Sequence, residues 1–89
     1  MKNNKLAGDI NNTAQLRWAC RRGMLELDVL LGNFLDSNYA DLADEQKKTF
    51  IELLGHSDPQ LFAWLLGRET VEDEKLAAMI DAIRSHARS

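Results

Sequence analysis

A chain of 89 residues has room for one domain with one core and not for two. An apolar fraction of 45%, a charged fraction of 28%, one proline and five glycines exclude a disordered or loop-rich chain, and the apolar runs are too short to span a bilayer. The net charge of −3 is uneven: residues 1–26 hold five basic and two acidic side chains, residues 28–89 six and twelve, so a small basic face adjoins an acidic remainder that repels nucleic acid.

The pattern is helical from residue 11 onward. Asn11 or Asn12 can cap a first helix reaching to about Arg22, and Gly23 fits the left-handed position that follows many helix ends. The second helix has Leu27, Leu30, Leu31, Phe34 and Leu35 on one stripe and should end before the polar link at residues 37–41. The third places Phe50, Ile51 and Leu54 on one face, with Glu45, Lys48 and Glu52 outside, and stops at Gly55. Ser57, Asp58 and Pro59 start the fourth, a cap followed by a proline in the first turn. It carries Leu61, Phe62, Trp64, Leu65 and Leu66 and ends at Gly67. Thr70 with Asp73 resembles an acidic capping box for a fifth helix with Leu76, Met79, Ile80 and Ile83 inside. No stretch alternates with period two.

Short helices are marginal alone and need one another's apolar faces. The expected fold is therefore all-α, a compact bundle of five short helices spanning residues 1–89. Residues 1–9 are expected to be a flexible segment and the last few to fray. The second, third and fifth helices should supply most of the core, with Phe34, Phe50, Phe62 and Trp64 at its centre.

Catalytic chemistry finds little footing. His56 and His86 are far apart in sequence, at no ligand spacing with Cys20 or an acidic pair, and read as surface residues, so no metal site is expected. Cys20 is the only cysteine, which excludes an internal disulfide and suits a reducing cytosol. Arginine neighbours could activate it, but a helical cysteine beside Ala19 reads first as a small packing residue. No nucleophile–base pair and no glycine-rich phosphate loop is present, so the chain is not expected to be an enzyme. The N-terminus has Lys2 and Lys5 without a following apolar run, and no arginine before Asp9, so neither a secretory nor a mitochondrial leader is expected.

Residues 17–28 are the most informative. Arg17, Trp18, Arg21 and Arg22 converge on Gly23, and Glu26 follows. One reading is a helix stop, with arginines at the negative end of one helix dipole and Glu26 at the positive end of the next. The other is a protein-binding surface: tryptophan beside arginine is common at binding hot spots, and a glycine turn lets a partner backbone approach. Both readings stand on these residues alone.

The runs Asp9-Ile10-Asn11-Asn12, Arg17 to Met24 and Glu26-Leu27-Asp28 resemble the SdhE-type succinate dehydrogenase assembly factors. Arg22, Gly23 and Glu26 match the family's Arg-Gly-x-x-Glu motif, and Asp58-Pro59-Gln60-Leu61-Phe62-Ala63-Trp64-Leu65 is similar to its Asp-Pro-x-Leu-Phe-x-Trp pattern. The likeness runs from about Asp9 to Ile83. Ala43 departs from it, standing where a capping serine or threonine is expected, and Asp41 or Asp44 is expected to take over.

The resemblance implies a five-helix chaperone that binds the flavoprotein subunit of succinate dehydrogenase, and in bacteria that of fumarate reductase. It promotes covalent attachment of FAD to a histidine of that subunit. No cofactor is held stably by such a chain; the FAD belongs to the partner. Arg22, Gly23 and Glu26 carry over as partner contacts, with Met24, Arg21 and Trp18 beside them. The absence of a leader points to a bacterial cytoplasm, with no membrane insertion. Two alternatives remain: an antitoxin-like or regulatory binding module, and a nucleic-acid-binding module built on Arg17, Arg21, Arg22 and Trp18, which the overall acidity opposes.

Overall fold

The computed structural model describes residues 10–88; the expectations for residues 1–9 and for the last residue fall outside the described residues. Five α-helices follow one another: α1 (Thr13–Ala19), α2 (Leu25–Asn38), α3 (Asp44–Leu54), α4 (Asp58–Leu65) and α5 (Glu74–Arg88), with a 3-10 turn at Tyr39–Asp41. The described residues contain no strand. The all-α bundle expected from the periodicity is the fold observed, with extents of 37 × 26 × 24 Å.

Local side chains explain where each helix begins. The Asn12 carboxamide accepts from the Gln15 N–H at 3.1 Å, so Asn12 rather than Asn11 is the first cap. Ser57 caps α4 by accepting from the Gln60 N–H, with Pro59 in the first turn. At α3 neither Asp41 nor Asp44 supplies a cap. Instead the Gln46 side chain reaches back to the Ala43 N–H at 3.0 Å, the half of a capping box that alanine permits. At α5 the expected Thr70–Asp73 box is replaced by Asp73 alone, whose carboxylate accepts from the N–H groups of Lys75 and Leu76.

Helix ends differ from expectation in two places. Helix α1 stops at Ala19, three residues short of Arg22, and α2 continues through the polar link to Asn38. The continuation has a packing reason. Tyr39 is only 2% exposed, and its hydroxyl donates to the Ile10 carbonyl at 2.7 Å, so the turn after α2 is drawn into the core.

Helix α5 lies against both α2 and α3 and touches α4. The core contains Leu27, Leu31 and Phe34 from α2, Phe50, Leu53 and Leu54 from α3, and Leu76, Met79, Ile80 and Ile83 from α5. Leu16 and Cys20 join it from α1 and its cap, and Leu61 and Leu65 from α4. Burying one such leucine contributes about 1.5–3 kcal/mol. Phe34 and Phe50 stack at 5.7 Å, and Tyr39 tilts against Phe50 at 5.5 Å. Phe62 and Trp64 are only partly buried and pack on the outside of this cluster. The central third aromatic is Tyr39, because the 3-10 turn brings it inward where a free loop would not.

Candidate functional site

The sequence-predicted site residues cluster on the connection between α1 and α2. Cys20 caps the C-terminal end of α1, Gly23 turns the chain and Met24 precedes α2 in an extended conformation. Gly23 has φ +91°, a conformation that L side chains rarely adopt, which explains the glycine. A Cβ added there would meet nothing within 4 Å, so the backbone at this turn is bare to solvent.

Arg22 and Glu26 have opposite environments. The Arg22 guanidinium is turned into the protein, with its side chain 17% exposed. Its Nε donates to Asp58 Oδ1 at 2.7 Å, Nη1 to the carbonyls of Ala19 and Leu54 at 3.1 and 2.9 Å, and Nη2 to the His56 carbonyl at 2.7 Å. Ala19 and Leu54 are the last residues of α1 and α3, so the cation satisfies carbonyls that both helices leave open at their negative ends. The Arg22 backbone N–H donates to the Asp28 carboxylate in the first turn of α2. Arg22, which the resemblance carries over as a partner contact, thus turns its guanidinium inward. A pair with Glu26 is not formed either. Glu26 is exposed and has no hydrogen-bond or ion-pair partner among the described residues.

Trp18 is 74% exposed, with the Arg21 guanidinium 5.9 Å from its ring centroid. That distance is within the range of a cation–π contact and holds a large flat apolar surface next to a positive charge. Arg17 pairs instead with Asp36 at 2.6 Å, and its pKa is raised by that hydrogen bond and the carboxylate's charge. Met24 is half-buried and packs on the core. Cys20 is 1% exposed, and burial pushes its thiol up to about 12 against the opposing pull of Arg22 and Arg17. A thiol so protonated is a packing group and not a nucleophile at neutral pH.

Several residues were not read from the sequence. Leu25 is 77% exposed, and it lines a shallow apolar depression with Glu26, Val29, Leu30 and Leu66 directly after the glycine turn. The signal was present: Leu25 and Val29 sit four apart and off the buried Leu27–Leu31–Phe34 stripe. Leu66, expected within the fourth helix, instead caps the end of α4 and is more than a third exposed. Asp58 was read as part of a helix start, and nothing in local sequence pairs it with Arg22. The two histidines are half-buried, His56 edge-on to Trp64 at 4.8 Å and His86 near Phe34 at 6.1 Å. Among the described residues no group of three His, Cys, Asp or Glu could hold a metal ion, and no helix is long and apolar enough to cross a membrane.

A helical bundle with a bare glycine turn and an exposed tryptophan presents a surface suited to binding. The family model described as flavinator of succinate dehydrogenase matches residues 14–87. The chain is 53% identical over 79 residues to the FAD assembly factor SdhE of Shewanella oneidensis, covering 89% of this chain and 96% of that protein. It is 54% identical over 71 residues to the SdhE of Idiomarina loihiensis, covering 80% and 79%. With the SdhE of Photorhabdus laumondii it shares 47% over 77 residues, covering 86% and 88%. The chain therefore belongs to the succinate dehydrogenase flavinator family, and over most of its length it is similar to FAD assembly factors of the SdhE type.

Proposed function

We propose that this protein is an assembly chaperone that binds the flavoprotein subunit of succinate dehydrogenase, and that of fumarate reductase, and promotes covalent attachment of FAD. It acts by docking and not as an enzyme. The FAD belongs to the partner, and the work is done in the cytoplasm. The observation that carries this reading is the exposed turn at Gly23. Its backbone is open, Trp18 with Arg21 stands on the α1 side, and Leu25 with Glu26 stands on the α2 side. Such a surface offers an aromatic anchor, apolar area and both signs of charge around a point where a partner backbone can approach closely. The partner contacts on this reading are Gly23, Glu26, Arg21 and Trp18. Met24 lies at the edge, and Arg22 belongs to the same motif. The family, flavinators of succinate dehydrogenase, and the FAD assembly factors among the relatives support the choice of partner.

Flavin fluorescence of the denatured flavoprotein subunit tests the proposal, because only covalent flavin survives denaturation. Co-expression with this protein should raise the fluorescent fraction, and the two chains should co-elute on size exclusion. Equal covalent flavin with and without the protein, for a folded subunit supplied with FAD, would overturn it.

A further inference from the structure

Arg22, Gly23 and Glu26 lie within one stretch of five residues but do not present themselves alike. Glu26 reaches solvent, Gly23 exposes its backbone, and Arg22 points away from both into the gap between three helix ends. A guanidinium has five N–H donors. Four are engaged within the chain, by Asp58, Ala19, Leu54 and His56. A docked partner therefore finds little of Arg22 left to bind.

The same four bonds tie together segments that are distant in sequence. Asp58 begins α4, Leu54 ends α3, His56 lies in the turn between them, and Ala19 ends α1. The backbone N–H of Arg22 is meanwhile held by Asp28 of α2. The residue immediately before the Gly23 turn is thus fixed at its side chain to α1, α3 and α4, and at its backbone to α2. Gly23, which by itself samples more backbone conformations than any other residue type, starts from an immobilised neighbour.

We propose that Arg22 is a positioning residue, which through its contact with Asp58 holds the Gly23–Glu26 segment in the conformation the partner binds. This rests on the reading of Gly23 and Glu26 as partner contacts. Asp58, outside the docking surface, is then a functional residue that acts through Arg22. Charge-assisted hydrogen bonds in a partly buried setting are stronger than neutral ones and less screened by salt, which suits the pair to this task.

The test uses the full chain with Asp58→Ala, Arg22→Met and the double variant, each studied at a temperature where circular dichroism shows it as folded as the wild type. In the free protein, backbone order parameters from nuclear magnetic relaxation at residues 23–26 should fall in all three, and no further in the double variant than in Arg22→Met. With the flavoprotein subunit and FAD, the concentration of factor giving half-maximal covalent flavin incorporation should rise about ten-fold for Asp58→Ala, within the range of coupled neighbouring residues. The rate at saturating factor should be unchanged, and the double variant should match Arg22→Met. A residue that merely stabilises the fold would leave half-saturation unmoved under these conditions. An arginine that grips the partner directly would leave Asp58→Ala at or below the wild-type half-saturating concentration and make the double variant additive. Either of those results overturns the proposal, as do unaltered order parameters at residues 23–26. Failure of wild-type protein to promote flavin attachment at all, with the order parameters responding as expected, would instead overturn the underlying docking role and leave the positioning of the turn standing.

Discussion

Gly23 offers the sharpest separation of folding from binding. Its φ of +91° means that any L side chain is strained there, whatever the space around it. Because an added Cβ meets nothing within 4 Å, the penalty comes from backbone strain and not from collision. The strain is about 1–2 kcal/mol, and it applies nearly equally to Gly23→Ala and Gly23→Leu, since the longer side chain extends into solvent. For a domain of this size that corresponds to a fall in melting temperature of roughly 4–8 °C per kcal/mol. Binding should respond differently. A partner packed against the bare turn tolerates one methyl group poorly and a leucine not at all. Thermal melts of the free variants should therefore nearly coincide, while covalent flavin incorporation falls partly for Gly23→Ala and is lost for Gly23→Leu. A folded Gly23→Leu protein with normal flavin incorporation would show that this glycine only ends a helix. A far lower melting temperature for leucine than for alanine would refute the open geometry of the turn.

Trp18→Ala should leave the melting temperature nearly unchanged, because the ring is 74% exposed, and should weaken the complex by about 2 kcal/mol if the indole is an anchor, read by titration calorimetry. Phe50→Ala, at 0% exposure between Phe34 and Tyr39, should cost about 3–5 kcal/mol and unfold much of the population, seen as loss of near-ultraviolet dichroism. Asp73→Ala removes the cap of α5 and should cost about 0.5–2 kcal/mol by urea denaturation. The Cys20 thiol is raised in the folded state from 9.0 to about 12, so its contribution to stability is fully present below pH 9 and is lost as the pH climbs toward 12, where unfolding releases its proton. Denaturation of wild type and Cys20→Ala across that window should show the wild type losing stability faster with pH, by up to about 1.4 kcal/mol per unit; parallel curves would contradict the buried, protonated thiol.

Local sequence was enough for much of the architecture. The 3.6-residue periodicity of Leu27, Leu31, Phe34 and Leu35, and of Leu76, Met79, Ile80 and Ile83, marks buried faces because a helix repeats its orientation at that interval. Ser57 with Pro59 marks the start of α4 because capping and proline geometry are properties of a few adjacent residues. Gly23 and Gly67 mark turns for the same reason, each adopting positive φ. The resemblance of residues 17–28 and 58–65 was legible too, since it resides in the letters themselves. Tertiary structure decided whatever depends on partners distant in the chain. Tyr39 became a core residue where the 3-10 turn sets it against Phe50 and the Ile10 carbonyl receives its hydroxyl, and Phe62 and Trp64 lost the centre because Leu61 and Leu65, four apart, take the inward face of α4. Arg22 is the strongest case: in sequence it stands beside a glycine and four residues from Glu26, yet its guanidinium is committed to Asp58 and to carbonyls 32 and 34 residues away. A long cationic side chain can reach solvent or the protein interior from the same backbone position, and which of these it does depends on whether the fold brings acceptors within reach.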